Sequence, residues 1–233
     1  MSGNSSGIEI YGPKDLRNFV ASALKWSYCK LSFPLQFVEV EDFAYQNDIL
    51  FENDKIKVHC AYLKHRIPAY GYRVSEKDKP GIFDVKKAKD LKIPPGPLYS
   101  ELQAGKTIKL KDGRSFCGKD FCGPPRKGES FVYCTDTMFS ESAINLSKNT
   151  DLLVHESTFS EEDERMALEK LHSTTLMAAK TALLSNTKKL IITHLSPRYT
   201  QKSPIKPIDL LKEAQKIFPN TYLAKDFLTV DIK

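Results

Sequence analysis

The chain has 233 residues, enough for one large domain or two small ones, and its 41% hydrophobic and 27% charged residues are the mixture of a soluble globular protein. No apolar run is long enough to span a membrane, and the first residues carry no signal-peptide pattern. The net charge of +6 is unevenly placed: between Ser75 and Glu129 thirteen Lys or Arg stand against eight Asp or Glu, so the surplus there is either a solvated lysine-rich surface or a phosphate-binding element.

Ile8–Tyr11 reads as a strand, Gly12-Pro13 as a turn, and Leu16, Phe19, Val20, Ala23 and Leu24 as one face of a helix. Residues 34–74 read as antiparallel β structure, with "FENDKIKV" (51–58) holding a turn between two strands and "YGYRV" (70–74) forming another. The segment 75–128 differs. "KKAKDL" is a short helix capped by Asp84. "IPPGP" (93–97) cannot be helix interior or central strand. "LKDGRSF" (110–116) is a hairpin turn and "CGPPRKG" (122–128) a loop. With few core-forming residues, this segment reads as an insertion projecting from a domain. Cys117 and Cys122 have a spacing that zinc ribbons use, but no second pair completes four ligands. Five cysteines, an odd number, read as free thiols of a reducing compartment.

From Phe131 strands and helices alternate. "FVYC", "DLLVHE", "KLIITHL" and "TYLAKDFLTV" read as strands. Between them, 141–147, 162–184 (broken near "HST") and 208–217 read as helices. The pattern predicts a partly parallel sheet with helices on its face. Ligands of such sheets gather beyond the carboxyl ends of the strands. Here those ends deliver Asp136, then His155 and Glu156, then His194, while His172 precedes a helix cap at Ser173-Thr174. Imidazole and carboxylate together suit zinc or manganese, and a bridging carboxylate suits a two-metal site that hydrolyses phosphate esters. Taken singly, a strand-end Asp is often a turn residue and a lone His often satisfied structure; the joint pattern carries the argument.

"YCTDT", "HEST", "HSTT" and "THLSPRY" resemble successive motifs of ribonuclease Z, the tRNA 3′-processing endonucleases of the metallo-β-lactamase superfamily. "KHRIPAYGYRV" (64–74) resembles that family's upstream histidine motif, and "IPPGPLY" the Gly-Pro motif of its tRNA-clamping arm. The resemblance extends from about Ile8 to about Ala224. It implies an α/β fold, a four-layer αββα sandwich incomplete at its N-terminal side, in which 1–233 is one domain and 75–128 an inserted basic tRNA-binding arm with its loops. It implies that His65 binds one zinc, Asp136 bridges two, and His194 binds the other, with His172 protonating the leaving group and Glu156 orienting His172. Ser196, Arg198 and Tyr199 would lie at the scissile phosphate, although a surface salt bridge is an equal reading of Arg198. Lys86, Lys87, Lys89, Lys92 and Gly96 would belong to the arm. His155 and His59 read as structural.

The sequence departs from the family in two places. The defining His-x-His-x-Asp-His motif is absent, so the chain reads as starting inside the family's domain, without four metal-site residues, among them the aspartate general base. Thr135 stands where a glycine is usual before the bridging Asp. The expected cofactor is zinc, two per subunit in a complete member and not retained here. The expected partners are a tRNA precursor and a second copy, in the cytoplasm or an organelle. Two other functions compete: a catalytically inactive RNA-binding or dimer-partner subunit, which the missing motif favours, and a hydrolase of small phosphodiesters, which has no use for a remote basic arm.

Overall fold

The computed structural model describes residues 7–46 and 48–232. They divide into two compact units, one of 1–75 with 129–233 and one of 76–128.

In the larger unit, β1 (Ile8–Gly12) leads through α1 (Leu16–Trp26) to β2 (Leu35–Glu39). β1 and β2 pair in parallel, from Ile8↔Leu35 to Gly12↔Glu39. The stretch read as uniform antiparallel β structure therefore begins with a parallel strand, and α2 (Glu41–Gln46) follows it. The helical spacing of Val40, Phe43 and Ala44 explains α2, because all three pack into one cluster with Leu50, Cys60 and Tyr70. Glu41 and Asp42 add favourable charge in its first turn. Next come β3 (Ile49–Glu52), β4 (Ile56–Leu63) and β5 (Ala69–Glu76), with the predicted β3–β4 turn closed by Asn53 N–H donating to the Ile56 carbonyl (3.0 Å).

The smaller unit contains α3 (Val85–Asp90), α4 (Pro97–Gln103), β6 (Thr107–Lys109) and β7 (Ser115–Cys117). Asp84 caps α3 as expected, its Oδ1 accepting from Lys87 N–H (2.9 Å). Gly96 precedes α4 at φ 130°, backbone that only glycine adopts without strain. Contrary to the reading of a core-poor insertion, this unit buries Ala88, Ile93, Leu102, Ile108 and Phe121, with Phe83 and Phe116 packed against them. These apolar residues are scattered between prolines and lysines, so no periodicity betrays them.

The chain then returns through β8 (Ser130–Cys134), α5 (Glu141–Leu146), β9 (Leu152–Glu156), α6 (Glu164–Lys170), α7 (Thr175–Leu184), β10 (Lys189–Thr193), α8 (Pro207–Ile217) and β11 (Thr221–Leu223). The large sheet has the order β11-β10-β9-β8-β5-β4-β3. β8, β9, β10 and β11 are parallel and β5 is antiparallel to β8. Alternation in β8 sends Val132 and Cys134 into the core with Leu153, Leu190 and Ile192, where they meet Ala143, Ala178, Ala179, Ala182 and Ala214 of α5, α7 and α8. Phe131 and Tyr133 face the other way and are exposed. The last predicted strand is cut to three residues: Leu228 N–H turns back to the Lys225 carbonyl (3.0 Å) and Phe227 adopts φ 63°.

Candidate metal and catalytic centre

Because β8, β9 and β10 are parallel, their carboxyl ends share one edge. Asp136 lies two residues beyond β8, Glu156 is the last residue of β9, and His194 follows β10 directly. β5 runs the opposite way, so the β4–β5 turn carrying His65 reaches the same edge. His194 is not itself in the strand: at φ 58° it is left-handed, as is Leu171 at φ 57° just before His172. Both strained residues stand at the site, where surrounding structure must hold them.

The donor atoms converge on Asp136. Its Oδ2 lies 3.9 Å from His65 Nε2 and its Oδ1 lies 3.4 Å from His194 Nε2. Two ligands each about 2.1 Å from a zinc ion stand roughly 3.4 Å apart at the tetrahedral angle, so one carboxylate facing two imidazoles fits a bridging metal ligand. The His65 imidazole is oriented for such a role. His65 Nδ1 is 2.9 Å from the Leu171 carbonyl, which can only accept, so Nδ1 carries the proton and Nε2 the lone pair. His172 completes one group of candidate ligands with His65 and Asp136, and Glu156, His172 and His194 form another.

Glu156 is a poor ligand, because its oxygens are already taken. The side chain is fully buried. Oε1 accepts from Thr137 N–H (2.9 Å) and from His172 Nδ1 (2.7 Å). Oε2 accepts from Thr158 N–H (3.0 Å) and Thr158 Oγ (2.7 Å). Such a carboxylate orients His172 through Nδ1. The imidazoles lie close together: ring centroids are 4.8 Å apart for His65–His172 and 5.5 Å for the stacked His172–His194.

Sequence reasoning did not single out Thr137 or Thr158, although both lie inside quoted motifs. Thr137 is fully buried and ties the His65 turn to the Asp136 loop, its Oγ accepting from Lys64 N–H (3.1 Å) and its carbonyl from Ser173 Oγ (2.6 Å). His155, read as structural, is fully buried in β9 with Nδ1 2.6 Å from the Glu156 carbonyl, and burial holds its pKa below the usual imidazole value. His59 lies in β4, its pKa lowered first by burial and then by the charge of Arg73.

The residues after His194 behave differently from one another. Arg198 Nη1 is 3.3 Å from Asp163 Oδ1, its Nη2 lies 2.8 Å from Met166 Sδ, and its guanidinium covers the Phe159 ring at 5.4 Å. Phe159 in turn packs edge-on against His172 (6.1 Å). Tyr199 is buried, donates to Asp163 and accepts from Ser160 N–H (2.9 Å); burial first, then Asp163, raises its pKa. Ser196 is fixed by backbone bonds, its N–H to the Thr158 carbonyl (3.0 Å). In the smaller unit Lys86, Lys87, Lys89, Lys92 and Gly96 are all exposed. Lys87 Nζ is bound to the Asp120 carbonyl (2.6 Å) and lies over Phe121.

No protein-family model matches the chain. Ribonuclease Z of Prochlorococcus marinus subsp. pastoris (strain CCMP1986 / NIES-2087 / MED4) is 82% identical over 233 residues, which are all of this chain and 75% of that protein. Ribonuclease Z of Prochlorococcus marinus strain NATL2A is 55% identical over 232 residues, 74% of its length. Among solved structures, human tRNase Z, short form, aligns over 99% of this chain and 70% of its own with a TM-score of 0.58 at 23% identity. The metallo-β-lactamase fold protein YhfI from Bacillus subtilis aligns over 94% of this chain and 63% of its own with a TM-score of 0.54 at 17% identity. At these identities the two structures establish the fold alone: a metallo-β-lactamase-type α/β architecture with a mixed sheet.

Proposed function

The chain belongs to the ribonuclease Z family of tRNA 3′-processing endoribonucleases, and from that premise we propose that the cluster around Asp136 is its phosphodiester-hydrolysing centre and 76–128 its tRNA-gripping arm. The observation that carries this is the pair of Asp136 oxygens, each facing one histidine Nε2, beside a histidine locked to a buried glutamate. His65, Asp136 and His194 would hold zinc, which when bound activates water and neutralises charge on the phosphate.

The remaining roles belong to the chain's own residues. Glu156 fixes His172 through Nδ1, so that its Nε2 delivers a proton to the leaving oxygen. Phe159 packs edge-on against that ring, and Arg198 lies over Phe159. Arg198 would meet a phosphate with the N–H groups its contact with Asp163 leaves over, and Tyr199 acts by holding Ser160 and Asp163 in place. The arm would contribute the exposed Lys86, Lys89 and Lys92, around the glycine that starts α4. A precursor tRNA and a second copy of the chain are the partners this reading names.

The test is incubation of the 233-residue chain, with zinc, on a labelled tRNA precursor bearing a 3′ trailer. Release of the trailer at the mature end supports the reading. Binding without cleavage favours a subunit that grips RNA and does not cut it, as the exposed lysines alone would allow. Absence of both sinks the proposal.

A further inference from the structure

Thr158 stands between the two halves of the site. Its Oγ lies 2.7 Å from Glu156 Oε2, 2.9 Å from His194 Nδ1 and 3.3 Å from His172 Nδ1. A threonine hydroxyl has one proton to donate and lone pairs with which to accept. The Glu156 carboxylate collects donors at every position, two of them backbone N–H groups that can only donate. The Thr158 proton therefore goes to Oε2. The His194 contact must then run the other way, from Nδ1–H to Oγ. That places the His194 lone pair on Nε2, the nitrogen facing Asp136 Oδ1 at 3.4 Å.

The opposite assignment has a cost and a benefit. If Thr158 donated to His194 Nδ1, Nε2–H would bond Asp136 in place of a metal ion, and buried Glu156 would lose one of its donors. Because ring orientation and tautomer of a metal-binding histidine are set by the partner of its other nitrogen, we propose that Thr158 is a positioning residue that presents His194 Nε2 as a metal-binding lone pair while bracing the Glu156 carboxylate that holds His172. One hydroxyl thus couples the metal-holding and proton-delivering halves of the centre. The assignment rests on the proposed hydrolytic reading only for its catalytic meaning; the tautomer itself is a property of the ring.

Long-range proton–nitrogen correlation spectra of the metal-free chain, recorded under mildly alkaline conditions, read that tautomer directly. The expected result is His194 protonated on Nδ1. Thr158→Val should move the proton to Nε2 and weaken zinc binding by about 10-fold or more in a dye-competition titration, whereas Thr158→Ser should preserve both. A merely structural threonine would leave the tautomer where it is. An Nε2–H tautomer in the unsubstituted chain overturns the proposal without reference to any variant, as does a Thr158→Val chain that keeps the Nδ1–H tautomer and its zinc affinity. Neither reading depends on what the chain does to tRNA.

Discussion

Glu156 shows how much a single side chain in this centre has to satisfy. Four donors meet a carboxylate with no solvent contact, two from backbone and two from side chains. Glu156→Gln keeps the shape but turns one acceptor into a donor, which then opposes the backbone N–H of either Thr137 or Thr158. The expected cost is about 2–4 kcal/mol of stability, measured by urea unfolding, and the new amide should also release His172 from its fixed orientation. The residues proposed for this centre converge as their pattern suggests: Asp136, His172, His194 and Glu156 stand at strand ends or before a cap, where topology brings them together. Thr158 and Leu171 were not legible, because their contributions are a hydroxyl and a carbonyl, groups that no residue-type pattern distinguishes from ordinary turn chemistry. Arg198 was readable in two ways, and its contact with Asp163 depends on α6 folding back over it, a placement invisible in the local sequence.

At the level of elements, the sheet is pinned at the end opposite the site. Asp151, just before β9, accepts from Ser130 N–H (2.8 Å) and Ser130 Oγ (3.0 Å) and pairs with Lys188 Nζ (2.6 Å), so the starts of β8, β9 and β10 are tied to one carboxylate. Burial pushes its pKa upward, but Lys188 and Ser130 outweigh burial and hold it below the usual carboxylate value. A carboxylate depressed in the folded state contributes stability that is present above its unfolded pKa, about 3.9, and is lost as pH falls through the folded value. The acid limb of the stability curve should therefore steepen below about pH 4, and Asp151→Asn should flatten it while lowering stability at neutral pH; thermal unfolding across pH checks both. The elements themselves were read well where period and burial agree, as in β8 to β10 and α7. They were misread where tertiary packing decided: α2 owes its helix to Val40, Phe43 and Ala44 meeting one cluster, and β11 ends early because the backbone turns at Lys225.

On the scale of the whole molecule, the surplus positive charge and the proposed centre around Asp136 belong to different units, and they should fail independently. Replacing Lys86, Lys87, Lys89 and Lys92 by alanine should weaken tRNA binding and lower its salt slope by up to about 3, with Lys87 contributing least because its Nζ is already bound to Asp120 and packed on Phe121. Binding titrations over a range of salt concentrations measure this; an unchanged slope makes the lysines a solvated surface. The manner in which the basic unit joins the chain has a consequence of its own. It leaves from β5 and re-enters at β8, and Ser75 and Ser130 on either side of it are paired partners in the sheet. Its exit and entry are thus fixed by a ladder that does not depend on what lies between them, and its core is made of its own residues. Such a segment is a cassette in a frame: it can be lengthened, shortened or exchanged without re-registering a single strand, so a change in the basic unit leaves the ladder on which the Asp136 cluster is built as it was.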